Sequence, residues 1–189
     1  MEYIRVFDNV IPKDLCEKII DSFEKDERVK PDGQPEYSTR RMLFLSDKKE
    51  WMNIVMNVTA LTNDLIDQYF ARPDEYAETR PADWIDDGYV MACYDEGDIC
   101  ALHADGQCAE APYNGHRIAT VIFFLNDVEE GGETYFPLQD KKIKPVRGRV
   151  VIFPPDYMHP HEVLAPKTKR YIVQTWITDS EMVVCHREY

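Results

Sequence analysis

From Trp84 onward the chain is a succession of short strand-like runs, and nothing else in it constrains the fold as strongly. The runs are 87–94, 100–105, 117–125, 133–136, 149–153, 159–164 and 169–178. Turn signals divide them: Asn114-Gly115, Gly131-Gly132, Arg147-Gly148 and Pro154-Pro155. Short strands punctuated in this way pair as a β-sandwich or barrel. Arg117–Leu125 is nearly continuous apolar sequence, as expected of a strand buried on both faces.

The first third reads differently. Residues 3–10 form a short strand running into a turn, and Pro12 suits the first position of a helix. Leu15, Ile19 and Phe23, with Cys16 and Ile20, make an apolar stripe at helical spacing, which predicts a helix over 12–26. Residues 28–37, with Pro31, Gly33 and Pro35, read as a loop, and Arg40–Leu45 as a strand. Asp47 and Glu50 have the spacing of a capping box. Trp51, Ile54, Val55, Val58, Leu61 and Leu65 then share one face of a helix over about 47–70. Residues 71–83, with Pro73 and Pro81, read as an irregular connection. The expected class is mainly β with N-terminal helices (α+β). One domain over 1–189 is expected, with helical support over 12–70 and the β core over 84–178; a length of 189 residues suits this.

Composition narrows the partners. A net charge of −13 argues against a phosphate backbone, so no nucleic acid is expected. The cysteines are Cys16, Cys93, Cys100, Cys108 and Cys185, an odd set without Cys-x-x-Cys. Neither a disulfide framework nor a thiolate zinc site fits, and a reducing, cytoplasmic setting is the expectation. The first residues carry no basic region followed by an apolar run, and no apolar stretch approaches membrane-spanning length. No membrane partner is expected.

Chemistry concentrates at His103-Ala104-Asp105. In an extended strand these two side chains share a face and can hold one edge of a metal's coordination sphere. A third ligand would complete the two-histidine, one-carboxylate facial triad that suits Fe(II) and leaves three positions open for a cosubstrate and O2. His159 and His161 are the candidates; His116 adjoins a turn and His186 lies among the last four residues. Context favours His161, because Arg170 follows nine positions later and opens an apolar strand. A guanidinium at the mouth of an apolar barrel needs a partner, and a cosubstrate carboxylate is the natural one.

These residues resemble the prolyl 4-hydroxylase branch of the 2-oxoglutarate- and Fe(II)-dependent oxygenases. The matching pieces are Tyr94-x-x-Gly97 before His103-x-Asp105, the run from Arg117 to Thr134, Gly148–Phe153, and His161 with Arg170 and Trp176. The resemblance implies a double-stranded β-helix (jelly-roll) core. It implies Fe(II) on His103, Asp105 and His161, and 2-oxoglutarate with its distal carboxylate on Arg170. Thr134 and Tyr94 would hydrogen-bond to the cosubstrate, Trp176 would pack beside it, and Arg117 would face the substrate groove. O2 would be the oxidant, succinate and CO2 the coproducts, and ascorbate the accompanying reductant.

Two departures stand out. Collagen-type members usually have lysine where Arg170 stands, so the site leans toward the oxygen-sensing and bacterial or viral type. Similar chains often carry tyrosine three positions before the first ligand, where this one has Cys100. The expected substrate is proline in a peptide or protein. The same chemistry on a free amino acid, a lysyl side chain or a small metabolite is the alternative. A non-catalytic jelly-roll binding module and a cupin-type isomerase or lyase stand behind both. Loops 28–46, 71–86 and 106–116 carry no readable substrate code, and nothing in the sequence speaks to oligomeric state.

Overall fold

The computed structural model describes residues 3–33, 35–71, 81, 83–107 and 116–179. The Asn114-Gly115 turn, Cys108, Cys185, His186 and most of the connection over 71–83 lie outside these residues, as does the side chain of His116. The elements are β1 (Arg5–Phe7), α1 (Lys13–Glu24), β2 (Lys30–Pro31), β3 (Arg41–Phe44), α2 (Met52–Tyr69), β4 (Trp84–Asp86) and β5 (Val90–Tyr94). There follow β6 (Cys100–His103), β7 (His116–Phe124), β8 (Thr134–Phe136), β9 (Lys141–Ile143), β10 (Val150–Phe153), β11 (His161–Val163) and β12 (Arg170–Asp179).

The helices form because their apolar stripes have a sheet to cover. Cys16, Ile19 and Phe23 of α1 are fully buried, and Ile54, Val58, Leu65 and Ile66 of α2 are buried. Pro12 precedes the first helical residue of α1 rather than occupying it. The capping box before α2 does not form. Asp47 pairs with Lys48 at 2.6 Å and Glu50 with Arg28 at 3.2 Å. A single 3₁₀ turn, Lys49–Trp51, leads into a helix that starts at Met52 instead of residue 47. No described helix is long and apolar enough to cross a membrane.

The strands make two antiparallel sheets. The larger runs β1-β10-β7-β12-β5-β3-β2, with β4 also pairing with β12; the smaller runs β6-β11-β8-β9. Side-chain alternation splits the core in two. On β7, Ala119, Val121 and Phe123 pack toward the helices, while Ile122 and Phe124 join Phe136, Ile143 and Val163 of the small sheet. β2 and β9 were not expected. Lys30-Pro31 sits in a proline-rich loop, and Lys141-Lys142-Ile143 lacks strand-type alternation; both pair only as short sheet edges.

One irregularity bears on the site. Ile177 faces Ala119 across the β7–β12 ladder, but Thr178 faces Arg117. Ile118 is therefore an extra residue, a β-bulge. It packs with the helix-facing cluster, and Arg117 turns to the inner surface. At the Gly131-Gly132 turn, Gly131 has φ of +73°, and a Cβ there would collide with the carbonyl of Ala165.

Candidate active site

β6 and β11 are neighbours, and His103 lies directly opposite His161 across the ladder. Their ring centroids are 4.4 Å apart. The strand ends at His103, and a 3₁₀ turn over Asp105–Gln107 follows. The turn, rather than strand alternation, brings the Asp105 carboxylate between the two rings. His103 Nε2 is 3.5 Å from one carboxylate oxygen and His161 Nε2 is 3.6 Å from the other. The ligand-type atoms of the three residues all lie within 4.8 Å of one another.

Hydrogen bonds orient each member. Nδ1 of His103 lies 2.7 Å from the Ala101 carbonyl, and Nδ1 of His161 lies 3.2 Å from the His159 carbonyl. A carbonyl only accepts, so both Nδ1 atoms carry protons and both Nε2 atoms turn toward Asp105. Asp105 accepts from Thr120 Oγ1 at 2.7 Å, and its backbone carbonyl accepts from Arg117 Nη1 at 2.9 Å. His159 stands outside the cluster, with Nδ1 on Asp156 at 2.8 Å. Two imidazoles and a carboxylate, each braced from behind, fit a first-row divalent cation.

The electrostatics favour positive charge at this point. Burial opposes ionisation of Asp105, yet the hydrogen bond from His103 and the charges of both histidines hold its carboxyl well below the usual range. Burial likewise works against a charge on His103, but hydrogen bonds to Asp105 and Cys100 push it up to about 11. Burial drops His161 to about 4, with Asp105 pulling the other way. One proton beside Asp105 is thus held on His103, the more open of the two rings. A divalent cation would displace it.

Arg170 opens β12 opposite Tyr94 and is completely buried. Nη2 donates to Thr134 Oγ1 at 3.0 Å. Nε and Nη1 are buried with no hydrogen-bond partner among the described residues. The guanidinium lies over the rings of Tyr94 and Phe124, at 4.7 and 5.3 Å. Burial lowers its pKa, with Tyr94 opposing. A group that stays charged in proteins, with donors unmet, stands in the wall of the cavity that the histidines and Asp105 also line, about 460 Å³ in volume.

The sequence profile described as the 2OG-Fe(II) oxygenase superfamily matches residues 89–178, which hold all of these groups. This segment belongs to that superfamily. The chain is similar to an Acanthamoeba polyphaga mimivirus protein named as a prolyl 4-hydroxylase, 31% identical over 46% of this chain and 40% of that one. It is also similar to an Arabidopsis thaliana protein named as prolyl 4-hydroxylase 7, 32% identical over 56% of this chain and 29% of that one. The matched region spans well under half the length of either curated relative.

Solved structures share the fold of this chain. The viral collagen prolyl hydroxylase of Paramecium bursaria Chlorella virus-1, solved with 2OG, superposes with a TM-score of 0.70 at 22% identity, covering 94% of this chain and 96% of that one. A Trichoplax adhaerens prolyl hydroxylase, solved with a peptide fragment of the hypoxia-inducible-factor oxygen degradation domain, gives 0.72 at 18% identity, covering 94% and 84%. The two-sheet core is therefore the double-stranded β-helix of these enzymes.

The remaining expected residues also reach this cavity. Tyr94, Thr134 and Trp176 line it, and Trp176 Nε1 is buried without a hydrogen-bond partner among the described residues. Arg117 lines it as well but is heavily engaged. Its Nε pairs with Asp87 at 2.9 Å, and its guanidinium stacks 4.0 Å from the Trp176 ring centroid. Together with its bond to the Asp105 carbonyl, this ties Arg117 to the protein rather than leaving it free to grasp a ligand. Cys100 is buried, with Sγ 3.9 Å from His103 Nδ1.

Sequence reasoning missed Thr120, Gln174, Asp32 and Arg40, which line the same cavity. Strand parity could have found three of them. Thr120 and Gln174 alternate with Val121 and Val173, which face the helices. Leu43 and Leu45 also face the helices, so Met42 and, two residues earlier, Arg40 face inward. No signal marked Asp32.

Proposed function

We propose that this chain is a 2-oxoglutarate- and Fe(II)-dependent dioxygenase that hydroxylates proline in a peptide or protein, with succinate and CO2 as coproducts. The observation that carries the proposal is one cavity joining the His103–Asp105–His161 cluster to a fully buried Arg170 with two unmet donors. His103, Asp105 and His161 would hold the Fe(II). Bound there with 2-oxoglutarate, the ion supplies O2-driven oxidation of an unactivated C–H bond.

The protein's own part is to bind, orient and exclude. Arg170 would clamp the distal carboxylate of 2-oxoglutarate through the N–H groups that now lack partners. Thr134 already shares Nη2 of Arg170 and would complete that end, and the Tyr94 hydroxyl would donate from beside it. Thr120 and Arg117 hold Asp105 in place. Ile122, Ile172 and Val163 make the intervening wall apolar, which keeps water from the reacting carbon. Ascorbate would serve as reductant in uncoupled cycles.

Cys100 favours keeping a second reading of the substrate. A small thiol stands where similar chains often present tyrosine, so the same chemistry on a free amino acid, a lysyl side chain or a small metabolite is the alternative. Mass spectrometry decides between them. Proline-containing peptides, lysyl peptides and free amino acids are incubated with the protein, Fe(II), 2-oxoglutarate and ascorbate. A gain of one oxygen on proline, absent with Asp105→Ala, supports the proposal. Oxygen gain only on another substrate refutes the proline assignment, and no succinate under any condition refutes the enzyme.

A further inference from the structure

Arg40 is a second guanidinium in the cavity, and the resemblance assigns it no role. It comes from the segment before β3, far in sequence from the oxygenase motifs. Its side chain is 14% exposed, and Nε pairs with Asp32 at 3.0 Å. Nη1 reaches Tyr94 Oη at 3.0 Å and Gln174 Oε1 at 3.4 Å. Arg40 and Arg170 lie 5.8 and 4.7 Å from the Tyr94 ring centroid, so two cations attend one phenol.

Elementary hydrogen-bond chemistry then decides which way two cavity groups point. A guanidinium only donates. Tyr94 Oη must accept from Arg40, and no described residue takes the hydroxyl proton, so that proton is left for a ligand. Gln174 must turn its oxygen toward Arg40, because two donors cannot face each other, and its NH2 is left to donate elsewhere. Without Arg40, the hydroxyl would be free to rotate and the amide free to flip. With it, both are set as donors toward an acceptor-only ligand such as a dicarboxylate. Asp32 holds Arg40 from behind and offsets its charge.

We propose that Arg40 is a positioning residue for the cosubstrate: through Tyr94 and Gln174 it sets hydrogen-bond donors toward bound 2-oxoglutarate. This rests on the dioxygenase reading above. The test is calorimetric binding of 2-oxoglutarate to Mn(II)-loaded protein, which needs no turnover. Tyr94→Phe should raise Kd roughly tenfold, about the worth of a hydrogen bond to a charged acceptor. Arg40→Gln should raise it at least as much. In the Arg40→Gln background, Tyr94→Phe should add about twofold or less, because the two act as one unit.

Equal Tyr94→Phe effects in both backgrounds, or an unchanged Kd in Arg40→Gln, would overturn the proposal. Should Arg40→Gln melt below the working temperature, Asp32→Asn replaces it. That variant should weaken binding by a smaller factor in the same direction, and a Kd unchanged in it would be equally fatal. Arg170→Ala separates the two readings. If the wild-type protein ignores 2-oxoglutarate, or Arg170→Ala leaves its binding intact, the cosubstrate reading itself has failed. If Arg170 matters and Arg40 does not, only the positioning role falls.

Discussion

Arg170→Met should make the ligand-free protein more stable and the cosubstrate-bound protein less so. Arg170 is 0% exposed, and two of its nitrogens have no partner among the described residues. Each unmet buried donor costs about 1–3 kcal/mol, more for a charged group. Methionine keeps much of the volume and brings no donor. The loss of the bond to Thr134 and some imperfect packing subtract about 1 kcal/mol each. A net gain of about 2 kcal/mol is expected, inside the range seen when buried charges give way to apolar side chains. For a chain of this length that is roughly 4–8 °C in Tm.

The opposite holds for the complex. A cosubstrate carboxylate left without its guanidinium loses about 3–5 kcal/mol, so Kd should rise on the order of a hundredfold to several thousandfold. Urea unfolding of both proteins, with and without 2-oxoglutarate on the Mn(II) forms, reads both effects. At a hundred times its Kd, the ligand adds about 2.7 kcal/mol to the wild type and almost nothing to the variant. The order of stabilities should therefore reverse on adding ligand. A variant that unfolds at lower urea than the wild type without ligand, at the same m-value, would show that Arg170 is not a strained, waiting charge. Equal stabilisation of both proteins by 2-oxoglutarate would remove its assigned role.

Asp105→Asn should abolish tight Mn(II) binding measured by calorimetry, whereas His159→Ala should bind Mn(II) much as the wild type does, since His159 is engaged by Asp156. Full-stoichiometry binding in the first, or loss in the second, would mean the ligand set is wrong. Asp105 raises the pKa of His103 and burial lowers that of His161, so Mn(II) should displace one proton, from His103, across the neutral range. Apparent affinity should fall by about tenfold for each unit the pH drops, and calorimetry in buffers of different ionisation heat should count about one proton released rather than two. Gly131→Ala should cost about 2 kcal/mol or more in urea unfolding, because it places a Cβ against the Ala165 carbonyl at positive φ. Gly33→Ala, where a Cβ meets open space, should cost far less, and equal losses would discard the steric argument.

Much of the β half was legible because strand alternation and turn residues report local physics. The apolar run of β7 and the Arg170-led strand β12 needed no tertiary knowledge. What escaped depends on pairing. Asp105 was expected to share a strand face with His103, and the same meeting is achieved by a turn. Arg117 would face the helices by parity, and a single bulge at Ile118 reverses it. That bulge is a property of two strands, and neither sequence alone declares it. Arg40 meets Gln174 across 134 residues of chain, a distance at which periodicity says nothing about contact. The capping box failed because Asp47 and Glu50 found lysine and arginine partners instead.

The alternation along β5, β7 and β12 has a consequence for how such a chain can change. Cys93, Val121, Phe123 and Val173 belong to the helix-packed layer, while Tyr94, Thr120, Ile122, Ile172 and Gln174 look into the cavity. The two sets occupy successive positions of the same strands, yet a substitution in one set barely touches the neighbours of the other. A randomised library confined to Ile122 and Ile172 would reshape the chamber while leaving the mortar between sheet and helices intact. Lineages carrying this architecture can therefore change what the chamber admits one side chain at a time, on scaffolding that stays put.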